Sequence, residues 1–198
     1  RAPGGKAEKL IDASDIRIPG AHNAENYMAA FAATDGLVGQ AACVQVARSF
    51  AGVPHRMERI RELNGITFIN DSIASSPTRT IAGLHALPKP PVSILGGHDK
   101  HIPRDELGDE VCLHAKAAVV VGETAQRIAA AIRGSKFYDP GKLPLVEAPD
   151  FRAAVATAYR LAPPGDTVTL SPACSSFDFF KKFAARGDTF RAIVESLQ

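Results

Sequence analysis

Tryptophan is absent from the 198 residues, and cysteine occurs only three times. Cys43, Cys112 and Cys174 are odd in number, scattered and without the paired spacing of a zinc site. Neither a disulfide framework nor zinc is therefore expected, and a reducing compartment fits. No apolar stretch approaches the roughly 18 residues needed to cross a bilayer, so no membrane partner is expected. The opening stretch, Arg1 to Lys9, is polar and lacks the apolar core of a signal peptide. These absences read as a cytoplasmic protein. Charge of one sign is also missing: 23 Lys+Arg against 21 Asp+Glu leave a formal net charge of +2, with no run of five or six like charges. Nucleic acid is not an expected partner of so balanced a surface.

What is present suits a folded chain, since 45% of residues are hydrophobic and 22% charged. That is ample core for one large domain, or one and a part. The chain begins at Arg1 rather than Met and enters at once into Gly/Lys-rich sequence, so it reads as a fragment. Helical spacing of small and apolar residues runs from Ala21 to about Ala33 and again from Val38 to Phe50, until Gly52-Val53-Pro54 breaks it. A domain boundary is expected there, dividing residues 1–53 from 54–198. Strand-like and helix-like segments then alternate. Strands are expected at 65–70, 91–95, 117–121, 143–147 and 167–170, with helices at 77–87, 104–114, 124–133, 151–161 and 176–197, the last broken near Gly187. Such alternation predicts an α/β fold, a mainly parallel Rossmann-like sheet flanked by helices.

In such a sheet ligands bind outside the carboxyl ends of the strands. Three loops fall there: Asn70 to Ser76, Gly96-Gly97-His98-Asp99-Lys100 and Ser171 to Ser176. The first offers an acid, an amide, several hydroxyls and a helix start at Ser76/Pro77, where free backbone N–H groups favour phosphate or carboxylate. Gly96-Gly97 permits close backbone approach, and Lys100 supplies a point charge. Each feature has a plainer reading. A glycine pair is common turn punctuation, and serines before a helix commonly cap it. Cys174 reads as a small buried residue, and His85 and His114 as ordinary helix positions.

Five ordered motifs narrow the choice: Gly20-Ala21-His22-Asn23-Ala24-Glu25-Asn26, Pro54-His55-Arg56-Met57-Glu58, Asn70-Asp71-Ser72, Gly96 to Lys100, and Ser171 to Asp178. They continue through Phe180-Lys181-Lys182-Phe183 and Arg186-Gly187-Asp188. The set resembles the Mur ligases of peptidoglycan synthesis, and within them the members that add D-glutamate. The resemblance covers about Ile16 to Leu197. It implies that residues 1–53 are the helical tail of a central ATPase domain and 54–198 the C-terminal, amino-acid-binding domain. The N-terminal domain, and a central domain with a Gly-Lys-Ser/Thr phosphate loop, would be the missing parts of the same enzyme, and the isolated chain is expected to be inactive.

The implied reaction is ADP-forming amide synthesis. ATP phosphorylates the carboxylate of UDP-N-acetylmuramoyl-L-alanine, and the amine of D-glutamate attacks the acyl phosphate. Mg²⁺ belongs to this chemistry, with its main ligands expected outside the fragment; no metal ligand is assigned here. The resemblance makes Arg56 the catalytic cation, and a guanidinium fork suits phosphoryl oxygens. It places Asp71 on the ATP ribose and Asn23 and Asn26 near the adenine, although amides at a helix start often merely cap it. Lys100 would take a D-glutamate carboxylate, Ser75 and Ser176 would supply hydroxyl or backbone contacts, and Phe177 and Phe183 would shape the pocket. Ile73 stands where many relatives carry lysine and is not a site residue. Two other readings stay open: another ADP-forming amino-acid ligase of the Mur/folylpolyglutamate synthase superfamily, and a non-catalytic binding module.

Overall fold

The structure is a computed structural model that describes residues 9–18 and 20–198. The expectations attached to residues 1–8, and the His22 side chain of the first motif, lie outside what is described. The chain divides into two compact units, Arg1–Gly52 and Val53–Gln198.

In the first unit a 3-10 turn, Ala13–Asp15, precedes helices α1 (Ala21–Ala33) and α2 (Gln40–Ser49). An Arg48–Asp15 ion pair and the Arg17 N–H donating to the Ala47 carbonyl tie the turn to α2. Among the described residues of this unit little is apolar core. Tyr27 and Ala47 are buried, while Met28, Leu37, Val38, Val46 and Phe50 are exposed.

The second unit is built on one six-stranded sheet. Its elements are β1 (Glu58–Leu63), β2 (Ile66–Asn70), α3 (Pro77–Ala86), β3 (Val92–Leu95), α4 (Asp105–His114), β4 (Ala117–Val120), α5 (Ala125–Gly134), β5 (Leu145–Glu147), α6 (Phe151–Leu161), β6 (Thr167–Leu170) and α7 (Phe183–Ser196). Strand order is β1-β2-β6-β3-β4-β5, every neighbouring pair parallel except β1 with β2. The α/β expectation is borne out, with one strand added. β1 is an edge strand joined to β2 through Asn64-Gly65, both at positive φ (52° and 76°), the turn that matches the twist of a two-residue hairpin. Charged Glu58, Arg59, Arg61 and Glu62 obscure its strand pattern, yet charge is what protects an exposed sheet edge. Arg61 Nη1 donates to the carbonyls of Val194, Glu195 and Leu197, so β1 also caps the negative end of α7.

Alternation along the central strands sends side chains to two cores. Phe68, Val92, Ile94, Val119 and Leu170 pack under α6 and α7. Leu95, Ala118 and Val120 pack under α3, α4 and α5 with Leu107, Val111, Ile128 and Ile132. The sequence places a helix over 176–197, broken near Gly187; the structure corrects the start and the break. α7 starts at Phe183 and runs unbroken through Gly187. Before it, Ser175 bridges to His98 in the neighbouring loop, and Phe180 stacks on Phe151 with centroids 5.1 Å apart. These contacts hold residues 176–182 across the sheet end, so the hydrogen bond from Phe180 N to Ser176 O remains a single turn.

Candidate functional site

The strand order sets β2, β6 and β3 side by side, so their carboxyl ends carry three adjacent loops. Backbone bonds lace them together. Asp71 N donates to Leu170 O (2.8 Å), Ala173 N to Ala74 O (3.0 Å), Gly96 N to Pro172 O (2.8 Å) and His98 N to Ser175 O (2.9 Å). The glycine pair is the reason such closeness is possible. A Cβ on Gly96 would lie 1.9 Å from Val121 O, and one on Gly97 would lie 2.2 Å from Ser175 O. Both have positive φ (119° and 147°), so a side chain is excluded by space and by backbone conformation alike.

Lys100 closes this rim from the second loop to the first. Its ammonium donates to the Ser75 carbonyl at 3.1 Å and the Ser75 hydroxyl at 3.3 Å, yet Lys100 itself is exposed. The structure therefore brings together two of the residues singled out for the substrate. Ser176, in the third loop, is buried. Phe177 is exposed and packs edge-on against His98, and Phe183, also exposed, packs edge-on against His55. Pro77 opens α3 behind the first loop, and the Ser76 side chain caps nothing, which leaves first-turn N–H groups without a side-chain acceptor.

Arg56 is exposed on a segment held in an uncommon shape, with His55 and Met57 on either side at positive φ (65° and 46°). Non-glycine residues adopt that region at a cost of order 1 kcal/mol or more, and bonds to the first loop offset it. Ile73 N donates to His55 O at 3.1 Å, and Met57 N donates to Asp71 Oδ1 at 3.2 Å. Asp71 is buried, and its other oxygen accepts the Ser171 hydroxyl at 2.9 Å. Burial lifts its carboxyl to about 6, against the hydrogen bonds from Ser171 and Met57 and the charges of Arg56 and Arg79. Asn23 and Asn26 belong to the first unit, one turn apart on α1, with Asn26 Nδ2 3.5 Å from Asn23 Oδ1. Gly20, not either amide, occupies the N-cap position of that helix.

The groups that bind this rim together have no role legible along the chain. Arg186 is 2% exposed. Its Nε donates to Ser72 Oγ (3.0 Å), Nη1 to Ser175 O (3.0 Å), and Nη2 to Ser72 O (2.9 Å) and Cys174 O (3.0 Å). One guanidinium from α7 thus fastens the first loop to the third. Burial draws it down to about 10, which leaves it charged at neutral pH. Beside it Asn70 Nδ2 lies 3.0 Å from His55 Nδ1 and 3.3 Å from both Glu58 Oε2 and the Gly187 carbonyl. Asp99 is buried between Arg104 and Arg127 and accepts the His101 N–H. Arg104, then that N–H, hold its carboxyl at about 2. The signal for the first cluster was a glycine inside a helix: a Cβ on Gly187 would lie 2.3 Å from His55 Nδ1.

A Mg²⁺ site needs several oxygen ligands converging on one point. In the rim Asp71 and Asp99 are each committed to protein donors, and among the described residues of the rim no such cage forms.

An open, mainly parallel sheet with helices on both faces and interlaced strand-end loops defines a doubly wound α/β unit. Residues 55–174 match the family model described as Mur ligase, glutamate ligase domain. The chain belongs to the Mur ligase family. It is 46% identical over 193 residues to the UDP-N-acetylmuramoylalanine--D-glutamate ligase of Acetivibrio thermocellus, a match covering 96% of this chain and 41% of that protein. To the ligase of the same name from Clostridium perfringens it is 44% identical over 190 residues, 96% of this chain and 42% of the relative. The chain thus spans about two fifths of the length of these relatives. Two solved structures share the fold. One is UDP-N-acetylmuramate-alanine ligase MurC of Thermotoga maritima, with a TM-score of 0.63, 18% identity and coverage of 90% of this chain and 39% of that one. The other is a pseudomurein peptide ligase type C of Methanothermus fervidus, with a TM-score of 0.64, 17% identity and coverage of 90% and 36%.

Proposed function

We propose that residues 53–198 are the amino-acid-binding domain of an ATP-dependent ligase that joins D-glutamate to UDP-N-acetylmuramoyl-L-alanine. In this reading ATP phosphorylates the alanine carboxylate. The amine of D-glutamate then attacks the acyl carbon, the C–O bond to phosphate breaks, and amide, inorganic phosphate and a proton are released. Residues 1–52 are the end of the domain that holds ATP. Their sparse core and exposed Met28, Leu37 and Val46 support this, since so small a unit rarely stands alone. The Gly-Lys-Ser/Thr loop and the Mg²⁺ ligands belong to parts of the enzyme beyond these 198 residues, and Asn23 and Asn26 of the first unit serve the adenine.

One observation carries the reading: an exposed ammonium, Lys100, held on Ser75 where the three strand-end loops meet. A glutamate carboxylate arriving there exchanges hydration for a fixed cation, a hydroxyl and backbone donors. Ser176, Phe177 and Phe183 border the same loops, and Arg56 offers its guanidinium to the transferring phosphoryl group. The test is Lys100→Ala in the full-length enzyme. Losing one charge-assisted partner costs about 1.5–3 kcal/mol, so the KM for D-glutamate should rise roughly ten- to a hundredfold with the KM for ATP little changed. Wild-type kinetics with D-glutamate would refute the assignment.

A further inference from the structure

Helices α3 and α4 begin at the loop-bearing edge of the sheet and run back beside each other, so both end at the opposite edge. Toward those ends three side chains of metal-ligating type come together: His85 from α3, Glu110 and His114 from α4. The Glu110 carboxylate Oε2 lies 2.6 Å from His85 Nε2 and 3.4 Å from His114 Nε2. All three ligand atoms lie within 4.8 Å of one another. Ligands about 2.0–2.1 Å from a zinc ion sit about 3.3–3.4 Å apart at tetrahedral angles, so rotamer adjustments of well under 1.5 Å close the set. Glu110 and His114 are four residues apart on one helix face, a spacing that converges on a single ion.

Charge favours the same guest. Two helices present their negative ends here, since His85 and His114 are the basic residues of the last turns of α3 and α4, and a cation is stabilised at such ends. Two imidazoles and a carboxylate select a zinc-class transition ion over Mg²⁺ or Ca²⁺, which require oxygen ligands. His85 is exposed and the other two are half-buried, so the site is open to solution.

We propose that His85, Glu110 and His114 form a divalent transition-metal site, with Zn²⁺ the fitting ion, that staples α3 to α4 at the sheet edge remote from the candidate substrate rim. On this proposal His85 and His114 are more than ordinary helix positions, and the sequence hides it because His85 lies 25 residues from Glu110 and meets it only in the fold.

The experiment titrates ZnCl₂ into the 198-residue chain by calorimetry, with bound metal counted after desalting. One equivalent should bind to the wild type and raise its melting temperature. His85→Ala and His114→Ala should each weaken binding at least tenfold, since even outer-shell changes cost that much, with circular dichroism unchanged. X-ray absorption at the zinc edge should report two imidazole nitrogens and oxygen donors with no sulfur. No uptake by the wild type, a loss under tenfold in either variant, or a sulfur ligand would overturn the proposal.

Discussion

Replacing Arg186 with methionine tests the account of how the rim is held. The side chain is buried, and its guanidinium supplies four hydrogen bonds to the first and third loops. Methionine fills the stem volume but leaves the carbonyls of Ser72, Cys174 and Ser175 without this donor. The Ser72 hydroxyl keeps its bond to Phe183 O at 2.7 Å. An unsatisfied buried group costs about 1–3 kcal/mol, and removing a buried charge returns part of that sum. The net loss should be on the order of 3 kcal/mol, a large share of the roughly 5–15 kcal/mol that holds a domain folded. Urea denaturation followed by circular dichroism measures it. Amide exchange at Val168 to Leu170, in the centre of the sheet, isolates the second unit from the first. Arg186→Lys should restore less than half, because one ammonium cannot reach acceptors spread around a planar fork. A loss below about 1 kcal/mol for Arg186→Met would show that the loops are held by something else.

Three further outcomes are expected. Gly187→Ala gains about 1 kcal/mol of helix propensity, but its Cβ would meet His55 Nδ1 at 2.3 Å and the Asn70 amide at 3.0 Å. Denaturation should therefore show a net loss of about 1–3 kcal/mol, and any gain would contradict the packing. Asp71, lifted from 3.8 to about 6 by burial, makes the folded chain bind a proton that the unfolded chain releases. Its contribution is full below pH 3.8 and lost as pH rises through about 6. Carboxyl NMR should find a midpoint near 6, and Asp71→Asn should flatten the stability profile across that window. In the full-length enzyme, Arg56→Ala should lower kcat with little effect on the KM for D-glutamate, the pattern of a lost transition-state contact; an unchanged kcat would remove Arg56 from the chemistry.

By itself the sequence determined the alternation of β2 through β6 with their helices, because strand and helix periods are local and each central strand is a short run of branched apolar residues. It also placed the three polar loops at strand ends and the glycine pair among them, since turn chemistry is written in adjacent residues. Only the tertiary structure decided the rest. β1 carries the charges of an exposed edge, so the hairpin turn Asn64-Gly65 was its one local sign. The start of α7 was set by His98 and Phe151, far away in sequence. Arg186 and the His85–Glu110–His114 cluster read as ordinary polar residues along the chain. Whether a charged group is solvated, clamped or poised for a ligand depends on what folds over it. Arg186 meets Ser72 across 114 residues, and His85 meets Glu110 across 25, separations at which no periodicity survives and only the sheet order brings the groups together.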